Sequence, residues 1–386
     1  MFRFRCAALL SLVALLALSP AARADDASPS VMFRLDPART GVYPASFGES
    51  AAKGRLRWKI ITGAWWQKYA GGRGVYSSPA VAQGLLLFGA ANGWFYAVDM
   101  KTGEVRWEFK THDSLIPLGV WILSSPVVAD GVVYFGTGVG KVYGLDVATG
   151  KVRFTFDAGH EVASSPAVVD GTIYFGGYTG TLFAVDIASG KAKWVFKASN
   201  TIFSSPAIGE GTLFFGDRAK IFHALDLATG KERWTARFGK DVDGTGAVAD
   251  GVVYIGGGDG RLLALDVVTG KEIWTFKARH GIYSSPALTA DRVYVGSWDG
   301  ALYAVDRRSG ALVWKRQTGF RIDAPPVVVG SRIYVGSGDK HLYALDRMSG
   351  DILWAFKSDN EIRVQPAVTH EGVYFADQSG FVYALE

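Results

Sequence analysis

The sequence predicts an all-β fold, a single eight-bladed β-propeller built from four-stranded antiparallel blades. Two observations lead to this prediction. A unit of about 40 residues recurs along the chain, and each unit contains four short strand-like segments separated by turns. The repeat is marked by the aspartate that opens a D-x-x-(T/S)-G pentad, at Asp99, Asp146, Asp186, Asp226, Asp266, Asp306 and Asp346.

Each unit reads S-S-P-A-V, a turn, Y-F-G, a second turn, L-Y-A-L-D, the pentad and K-x-x-W. In the third unit these strand segments lie around Pro166, Tyr174, Phe183 and Trp194. Glycine accepts positive φ in the turns, and the aspartate carboxylate can accept hydrogen bonds from backbone amides that follow it. The unit is therefore expected to be one antiparallel blade that must pack against neighbours to bury both of its faces.

The ring is expected to close by pairing of the two chain ends. Eight first-strand segments begin near Ser77, Ser124, Ser164, Ser204, Gly244, Ser284, Ala324 and Val364. The last unit ends where its pentad would start, and residues 56–60 around Trp58 supply a fourth strand. Such a composite blade leaves no free sheet edge in the ring.

The aromatic residues of the fourth strands are predicted to pack between blades. A buried indole contributes on the order of a few kcal/mol to stability. The set comprises Trp58, Trp107, Trp194, Trp234, Trp274, Trp314 and Trp354, with Phe154 in the eighth place.

The N-terminus has the pattern of a secretory signal peptide. Arg3 and Arg5 precede an apolar run over residues 7–18, which is too short for a membrane span of about 20 residues. Cleavage is expected after Ala24, which gives a signal peptide at 1–24, an N-terminal extension at 25–54 and the propeller at 55–386. The mature protein is therefore expected in the periplasm or outside the cell.

Composition excludes several function classes. Loss of Arg3, Arg5 and Arg23 with the signal leaves 38 basic against 36 acidic residues, which gives no electrostatic case for nucleic-acid binding. The single cysteine, Cys6, lies before the apolar run, so the mature chain is expected to have no disulfide and no lipid-anchoring cysteine. The six histidines show no metal-ligand spacing, and no metal site is predicted.

Together, the S-S-P-A, Y-x-G, L-Y-A-L-D, D-x-x-T-G-K and tryptophan elements resemble the repeat of quinoprotein-type (PQQ-type) propellers over residues 55–386. This family includes quinone-dependent alcohol dehydrogenases and also non-enzymatic proteins of the BamB type, which belong to the outer-membrane protein assembly machinery. The dehydrogenases typically add long insertions, a calcium site, a catalytic aspartate and often an adjacent cysteine pair. The resemblance therefore implies a BamB-like binding scaffold in the cell envelope more readily than an enzyme.

A three-residue element adds to that resemblance. Asp241-Val242-Asp243, before the first strand of the fifth blade, is similar to the D-V-D element through which BamB contacts its barrel-forming partner. The resemblance implies that both aspartates contact a protein partner. The longer loop that BamB carries in the preceding blade is reduced here to residues 200–203.

Comparison of the eight repeats with one another locates the variable positions. The connection into each first strand holds an aliphatic residue, expected in the core, followed by Tyr76, Leu123, Ala163, Phe203, Asp243, Tyr283, Asp323 or Arg363. Strand alternation turns this second residue toward the channel mouth. The same face carries the two long connections, at residues 64–74 and 112–121. The candidate binding residues are Trp65, Trp66, Tyr69, Arg73, Tyr76, Leu118, Trp121, Asp241, Asp243, Arg321, Asp323 and Arg363.

The residues leave three functions open. The first is a scaffold that binds a protein partner in the cell envelope through the mouth, as a monomer or as a subunit of a complex, with no cofactor. The second is a protein that binds pyrroloquinoline quinone or is related to quinone-dependent oxidoreductases, suggested by the cluster of Arg363, Asp323, Asp243 and Arg321. The third is a small-ligand or sugar binder. The two long connections can either present a binding surface or fold back to plug the channel.

Overall fold

The chain folds into the predicted ring of eight antiparallel blades. The computed structural model describes residues 36, 39–43, 53–63, 74–112 and 120–386. Within these ranges the four-stranded blades have strands one to four in order from the channel outward, and the first strands of neighbouring blades contact each other around the channel. No helix in the described ranges is long and apolar enough to span a membrane.

The strand bounds follow the repeat. Blades 1 to 4 comprise Ala80–Ala82, Leu85–Gly89, Trp94–Asp99 and Val105–Lys110; Val127–Ala129, Val132–Gly136, Lys141–Asp146 and Val152–Asp157; Ala167–Val169, Thr172–Gly176, Thr181–Asp186 and Lys191–Lys197; and Ala207–Gly209, Thr212–Gly216, Ile221–Asp226 and Glu232–Arg237. Blades 5 to 8 comprise Ala247–Ala249, Val252–Gly256, Arg261–Asp266 and Glu272–Lys277; Ala287–Leu288, Arg292–Gly296, Ala301–Asp306 and Leu312–Gln317; Val327–Val329, Arg332–Gly336, His341–Asp346 and Ile352–Lys357; and Ala367–Thr369, Gly372–Ala376, Phe381–Leu385 and Leu56–Ile61.

The two chain ends close the ring as predicted. Leu56–Ile61 pairs antiparallel with Phe381–Leu385, with Leu56 opposite Leu385 and Ile61 opposite Phe381. The carbonyl of Glu386 accepts hydrogen bonds from the backbone amides of Lys53 and Arg55 at 2.9 and 3.1 Å. Blade 8 is therefore continuous, although its third and fourth strands lie at opposite ends of the sequence.

The fourth-strand tryptophans join each blade to the next. Each indole packs on a positive-φ glycine of the neighbouring blade, where a Cβ would lie only 2.5–2.9 Å from the ring. Six of the indole N–H groups also donate to a backbone carbonyl beside that glycine, at 2.9–3.2 Å. The pairs are Trp58 on Gly103, Trp107 on Gly150, Trp194 on Gly230, Trp234 on Gly270, Trp274 on Gly310, Trp314 on Gly350 and Trp354 on Gly54.

Blade 2 departs from this series because Phe154 replaces the tryptophan. Gly190, the corresponding glycine of blade 3, has no atom within 4 Å of the position that a Cβ would occupy. Phe154 is itself buried and contacts Tyr134 edge-on, with ring centroids 5.9 Å apart. The smaller ring fills the core of its own blade but leaves space above the neighbouring glycine.

Side-chain hydroxyls form a second connection, close to the channel. In six of the eight S-S-P-type motifs the backbone N–H of the second residue donates to the hydroxyl of the equivalent residue in the next blade, at 2.9–3.3 Å. The series runs Gln365 to Ser78, Ser78 to Ser125, Ser125 to Ser165, Ser165 to Ser205, Ser205 to Thr245 and Thr245 to Ser285. Blade 7 interrupts it, because Pro325 has neither a hydroxyl nor an N–H.

Part of the N-terminal extension lies inside the ring. Val42–Tyr43 forms a short strand that pairs parallel with the first strand of blade 7, with Val42 opposite Val328. The free edge of a first strand faces the channel, so this segment occupies the channel itself. Nothing in the sequence pattern predicted this placement.

We expect Phe154→Trp to stabilise the protein. The larger ring would fill the space above Gly190, and its N–H could reach the carbonyl of Ile187, the position that corresponds to Leu227 in blade 4. Added burial and one hydrogen bond are worth about 1–2 kcal/mol. Chemical denaturation would show this as a higher midpoint for Phe154→Trp and a lower one for the matched control Trp194→Phe. A lower midpoint for Phe154→Trp would mean that the site is already full.

Candidate functional site

One face of the ring, here called the mouth face, carries the connections into the first strands. It also carries the hairpins between second and third strands. In every blade a hairpin amide donates to the carbonyl of a connection residue at 2.8–3.0 Å, so hairpin and connection side chains are neighbours. The pairs are Ala91 with Gly74, Gly138 with Trp121, Tyr178 with Glu161, Arg218 with Thr201, Gly258 with Asp241, Trp298 with Gly281, Gly338 with Arg321, and Gln378 with Glu361.

The alternation predicted for the connections is present. The aliphatic position is at most 2% exposed in all eight blades, at Val75, Ile122, Val162, Ile202, Val242, Ile282, Ile322 and Ile362. The following residue is partly or fully exposed in every blade, and Tyr76 is 42% exposed. Five candidate residues, Trp65, Trp66, Tyr69, Arg73 and Leu118, lie outside the described residues, and their placement stays a prediction.

An aromatic and charged cluster joins blades 3, 4 and 5 on this face. The rings of Tyr178 and Phe203 meet edge-on with centroids 4.9 Å apart. The guanidinium of Arg218 lies 4.2 Å from the centroid of Phe203 and donates to both carboxylate oxygens of Asp243, at 3.3 and 3.0 Å. Asp243 is thus held in a two-point contact with a residue of the preceding blade.

The cluster continues through blades 5 and 6. The hydroxyl of Tyr283 donates to Asp241 at 3.2 Å, and its ring lies 4.4 Å from that of Trp298. The Trp298 indole N–H donates to Asp323 of blade 7, and the ring itself remains 44% exposed. Trp298 therefore links the aspartate pair at 241 and 243 to the charged residues of the following blades.

Blades 7 and 8 contribute an alternating set of charges. Arg321 lies 3.2 Å from Asp323 and 3.6 Å from Glu361, and its guanidinium is 5.3 Å from the Trp298 ring. Arg363 donates to Glu361 at 2.6 and 2.8 Å and lies 3.5 Å from Asp323. The structure therefore brings together Asp241, Asp243, Arg321, Asp323 and Arg363, which the sequence grouped on one face.

Three residues of the cluster were missed by the sequence analysis. Tyr178, Arg218 and Trp298 lie in hairpins between second and third strands, where glycine, alanine or glutamine stands in the other blades. The same comparison between repeats that located the connection residues would have found them. Trp121 stands apart from the cluster; it is half-buried, and its indole nitrogen has no hydrogen-bond partner among the described residues.

Burial sets the protonation behaviour of two of these carboxylates. Desolvation raises the pKa of Asp243 above the ordinary aspartate value, and the hydrogen bonds from Arg218 oppose the rise. Desolvation also raises the pKa of Asp323, against the Trp298 hydrogen bond and the charge of Arg321. The pentad aspartates differ: side-chain hydrogen bonds from Arg233 and Thr229 lower the pKa of Asp226 to about 2.

The arginines of the mouth face are paired with carboxylates. Arg218, Arg321 and Arg363 are each already paired with a carboxylate, so their charges are not directed at an open site. Residues 39–43 occupy part of the channel. Within the described ranges, no group of three or more His, Cys, Asp or Glu residues could hold a metal ion.

Comparison with known proteins supports the fold and the family. A family model described as outer membrane protein assembly factor BamB matches residues 48–235, 117–315 and 198–386. Among solved structures, BamB from Moraxella catarrhalis aligns with a TM-score of 0.71 at 22% identity, over 86% of this chain and 99% of that one. No curated protein sequence matches significantly.

Two other structures share the fold at lower identity. The computationally designed Ika8 protein aligns with a TM-score of 0.72 at 16% identity, over 81% of this chain and 97% of that one. Quinohemoprotein alcohol dehydrogenase from Comamonas testosteroni aligns with a TM-score of 0.76 at 15% identity, over 92% of this chain and 80% of that one. At such identities the likeness concerns the fold alone.

The pKa shifts predict that two carboxylates of the mouth face bind protons at a higher pH than a pentad carboxylate does. As the pH falls from neutral, Asp243 and Asp323 should bind protons at a higher pH than Asp226, because burial disfavours their ionised forms. For these two, protonation favours the folded state, whereas Asp226 loses its stabilising contacts only as the pH approaches 2. The side-chain carboxyl ¹³C shifts of labelled protein measure all three. Midpoints for Asp243 and Asp323 at or below that of Asp226 would contradict the burial argument.

Proposed function

Since the chain belongs to the family of outer membrane protein assembly factor BamB, whose model matches it from residue 48 to residue 386, we propose that it is a non-enzymatic scaffold of the cell envelope. It acts in the periplasm and takes part in outer-membrane protein assembly. It binds a protein partner of that process through the mouth face.

The observation that supports this proposal is the continuous band of side chains from Tyr178 to Arg363, which crosses blades 3 to 8. Tryptophan, tyrosine and arginine dominate binding hot spots. Trp298 and Phe320 are 44% and 50% exposed, and Arg321 lies near both rings. Large exposed aromatic groups are costly for solubility unless a partner covers them.

The signal-peptide pattern and the D-V-D element agree with this role. In the structure, Val242 is buried, while Asp241 and Asp243 are held by Tyr283 and Arg218 at the mouth. A carboxylate pair fixed in this way can receive a basic or amide group of a partner without rearrangement. The long connections at residues 64–73 and 113–119, which include Trp65, Trp66 and Leu118, are proposed to extend the same surface.

A photo-crosslinking amino acid at Trp298, incorporated in cells, tests the proposal. It should trap a component of the outer-membrane assembly machinery, whereas the same group at Met348, exposed on the opposite face, should not. Replacing Tyr283 with Ala should weaken co-purification of that component about tenfold or more, as expected for loss of a hot-spot aromatic. The melting temperature checks that the ring stays folded.

Three outcomes would contradict the scaffold. Crosslinks could form equally from positions 298 and 348, or the trapped protein could have no part in envelope assembly. Co-purification could also be unchanged by Tyr283→Ala in a folded protein. Tyr283→Phe is the matched control, because it keeps the ring against Trp298 and removes only the hydroxyl that contacts Asp241.

Quinone binding is the second candidate, and the fold shared with the alcohol dehydrogenase is what favours it. The paired arginines and the occupied channel count against it. Titration with pyrroloquinoline quinone, with and without calcium, should leave tryptophan fluorescence and melting temperature unchanged if the chain is a scaffold. A saturable quench together with a raised melting temperature would favour the quinone alternative.

A further inference from the structure

The N-terminal extension is anchored in the channel by a buried arginine. Arg39 is 0% exposed and is among the largest fully buried side chains of the described residues. Its Nε donates to the carbonyl of Pro206 at 3.0 Å, and one terminal nitrogen donates to the carbonyls of Pro166 and Ser165 at 2.8 and 3.4 Å. All three acceptors belong to the S-S-P motifs of blades 3 and 4.

The repeat explains why the groups that accept hydrogen bonds from Arg39 are backbone carbonyls. In the S-S-P motif the backbone N–H of the second serine donates to a hydroxyl of the next blade, as that of Ser165 does to Ser205 at 2.9 Å. The proline that follows has no N–H at all. The backbone at this level of the channel therefore presents carbonyl oxygens rather than donors, which complements a guanidinium with its five N–H groups.

The segment then crosses to the other side of the ring. The carbonyl of Thr40 accepts the N–H of Leu288 in blade 6 at 2.8 Å, and the carbonyl of Gly41 accepts that of Val328 in blade 7 at 3.2 Å. Asp36 shapes the turn before it, because its carboxylate accepts the backbone N–H and the hydroxyl of Thr40 at 3.1 and 2.5 Å. The peptide thus binds blades 3 and 4 by a side chain and blades 6 and 7 by its backbone.

We propose that the channel of this propeller is a binding site for an extended, arginine-bearing peptide, and that residues 39–43 of the same chain occupy it in the structure. Recognition combines a pocket of backbone carbonyls for the guanidinium with addition of a parallel strand to the free edge of blade 7. The inference is independent of the mouth-face function, because it concerns the inner strands and not the side chains of the rim.

The described contacts are ones that another peptide can make. The pairing of Val42 with Val328 and Tyr43 with Val329, and the carbonyl contacts of Arg39, use backbone groups of the ring, which an extended peptide with an arginine can reach. Burial lowers the pKa of Arg39 to about 9, and the charge of Asp36 opposes this fall. The guanidinium therefore still carries its charge at neutral pH, as the arginine of another peptide would in the same pocket.

The test uses the full mature chain and a fluorescent synthetic peptide of residues 35–46, which contains Arg39 as its one arginine. Arg39→Ala in the protein removes the anchor of the internal segment. The peptide should bind this variant with 1:1 stoichiometry and the wild-type chain at least tenfold more weakly. The same peptide with alanine at position 39 should bind the variant at least tenfold more weakly than the parent peptide.

Arg34→Ala is the matched control, because it removes an equal charge from the same extension. It should leave peptide binding at the wild-type level. Failure of the parent peptide to bind the folded Arg39→Ala chain, or equal binding of the two peptides, would overturn the proposal.

Hydrogen exchange supplies a readout that does not depend on the variant folding. In the wild-type chain the amides of Leu288 and Val328 should exchange more slowly than those of Val248 and Val368, the equivalent positions of blades 5 and 8. Equal exchange at the four positions would overturn the occupancy on which the proposal rests. In the Arg39→Ala chain, addition of the peptide should restore the protection of Leu288 and Val328, and unchanged exchange would count against binding in the channel.

Discussion

The contact between an outer-strand tryptophan and the pentad glycine of the next blade is the interaction on which the ring depends. A four-stranded blade of about 40 residues has two apolar faces and cannot bury both by itself. The indole covers the neighbouring pentad turn, and only glycine permits this, because a Cβ there would clash with the indole, as at Gly270, where it would lie 2.5 Å from Trp234. The pentad is thus both a turn and a docking surface. This double use explains why Gly54, far from any complete pentad, has the same conformation beneath Trp354.

A second constraint acts near the channel, where the blades converge. The hydroxyls of the S-S-P motifs link most neighbouring first strands, and the tryptophans link most outer strands, so most blades are fixed both near the channel and at the periphery. The residues of these two sets vary little between blades because the geometry varies little, with Phe154 and Pro325 as exceptions. Variation is greater at positions that neither connection uses. On the mouth face these are the hairpin tips and the residues after the aliphatic position, which is where Arg218, Trp298 and Asp323 lie.

The repeat made most of the fold predictable, since a fixed period, paired turns and a displaced last strand at Trp58 allow only a closed ring. The repeat also made it possible to predict which connection residues face the mouth. Side-chain directions alternate along the strand, so the residue after the buried Ile322 points to the mouth face. The contacts between rim residues were beyond prediction, since Trp298 reaches Asp323 across a blade boundary and no periodicity encodes that distance. Arg39 was hidden for a related reason: it lies outside the repeat, and its partners are backbone carbonyls, which leave no trace in side-chain identity.

The pairing of charges on the mouth face limits what they can contribute to binding. Arg218 with Asp243 and Arg363 with Glu361 already satisfy one another, so a partner that covers them must desolvate both members and gains little net affinity from the charges. Their fixed positions instead restrict which surfaces fit and favour productive encounters. In the proposed scaffold the affinity would come from apolar area, which the exposed rings of Trp298 and Phe320 offer, held by neighbouring residues at low cost in side-chain entropy. The paired charges of the mouth face would then select the partner, and the aromatic side chains among them would supply the binding energy.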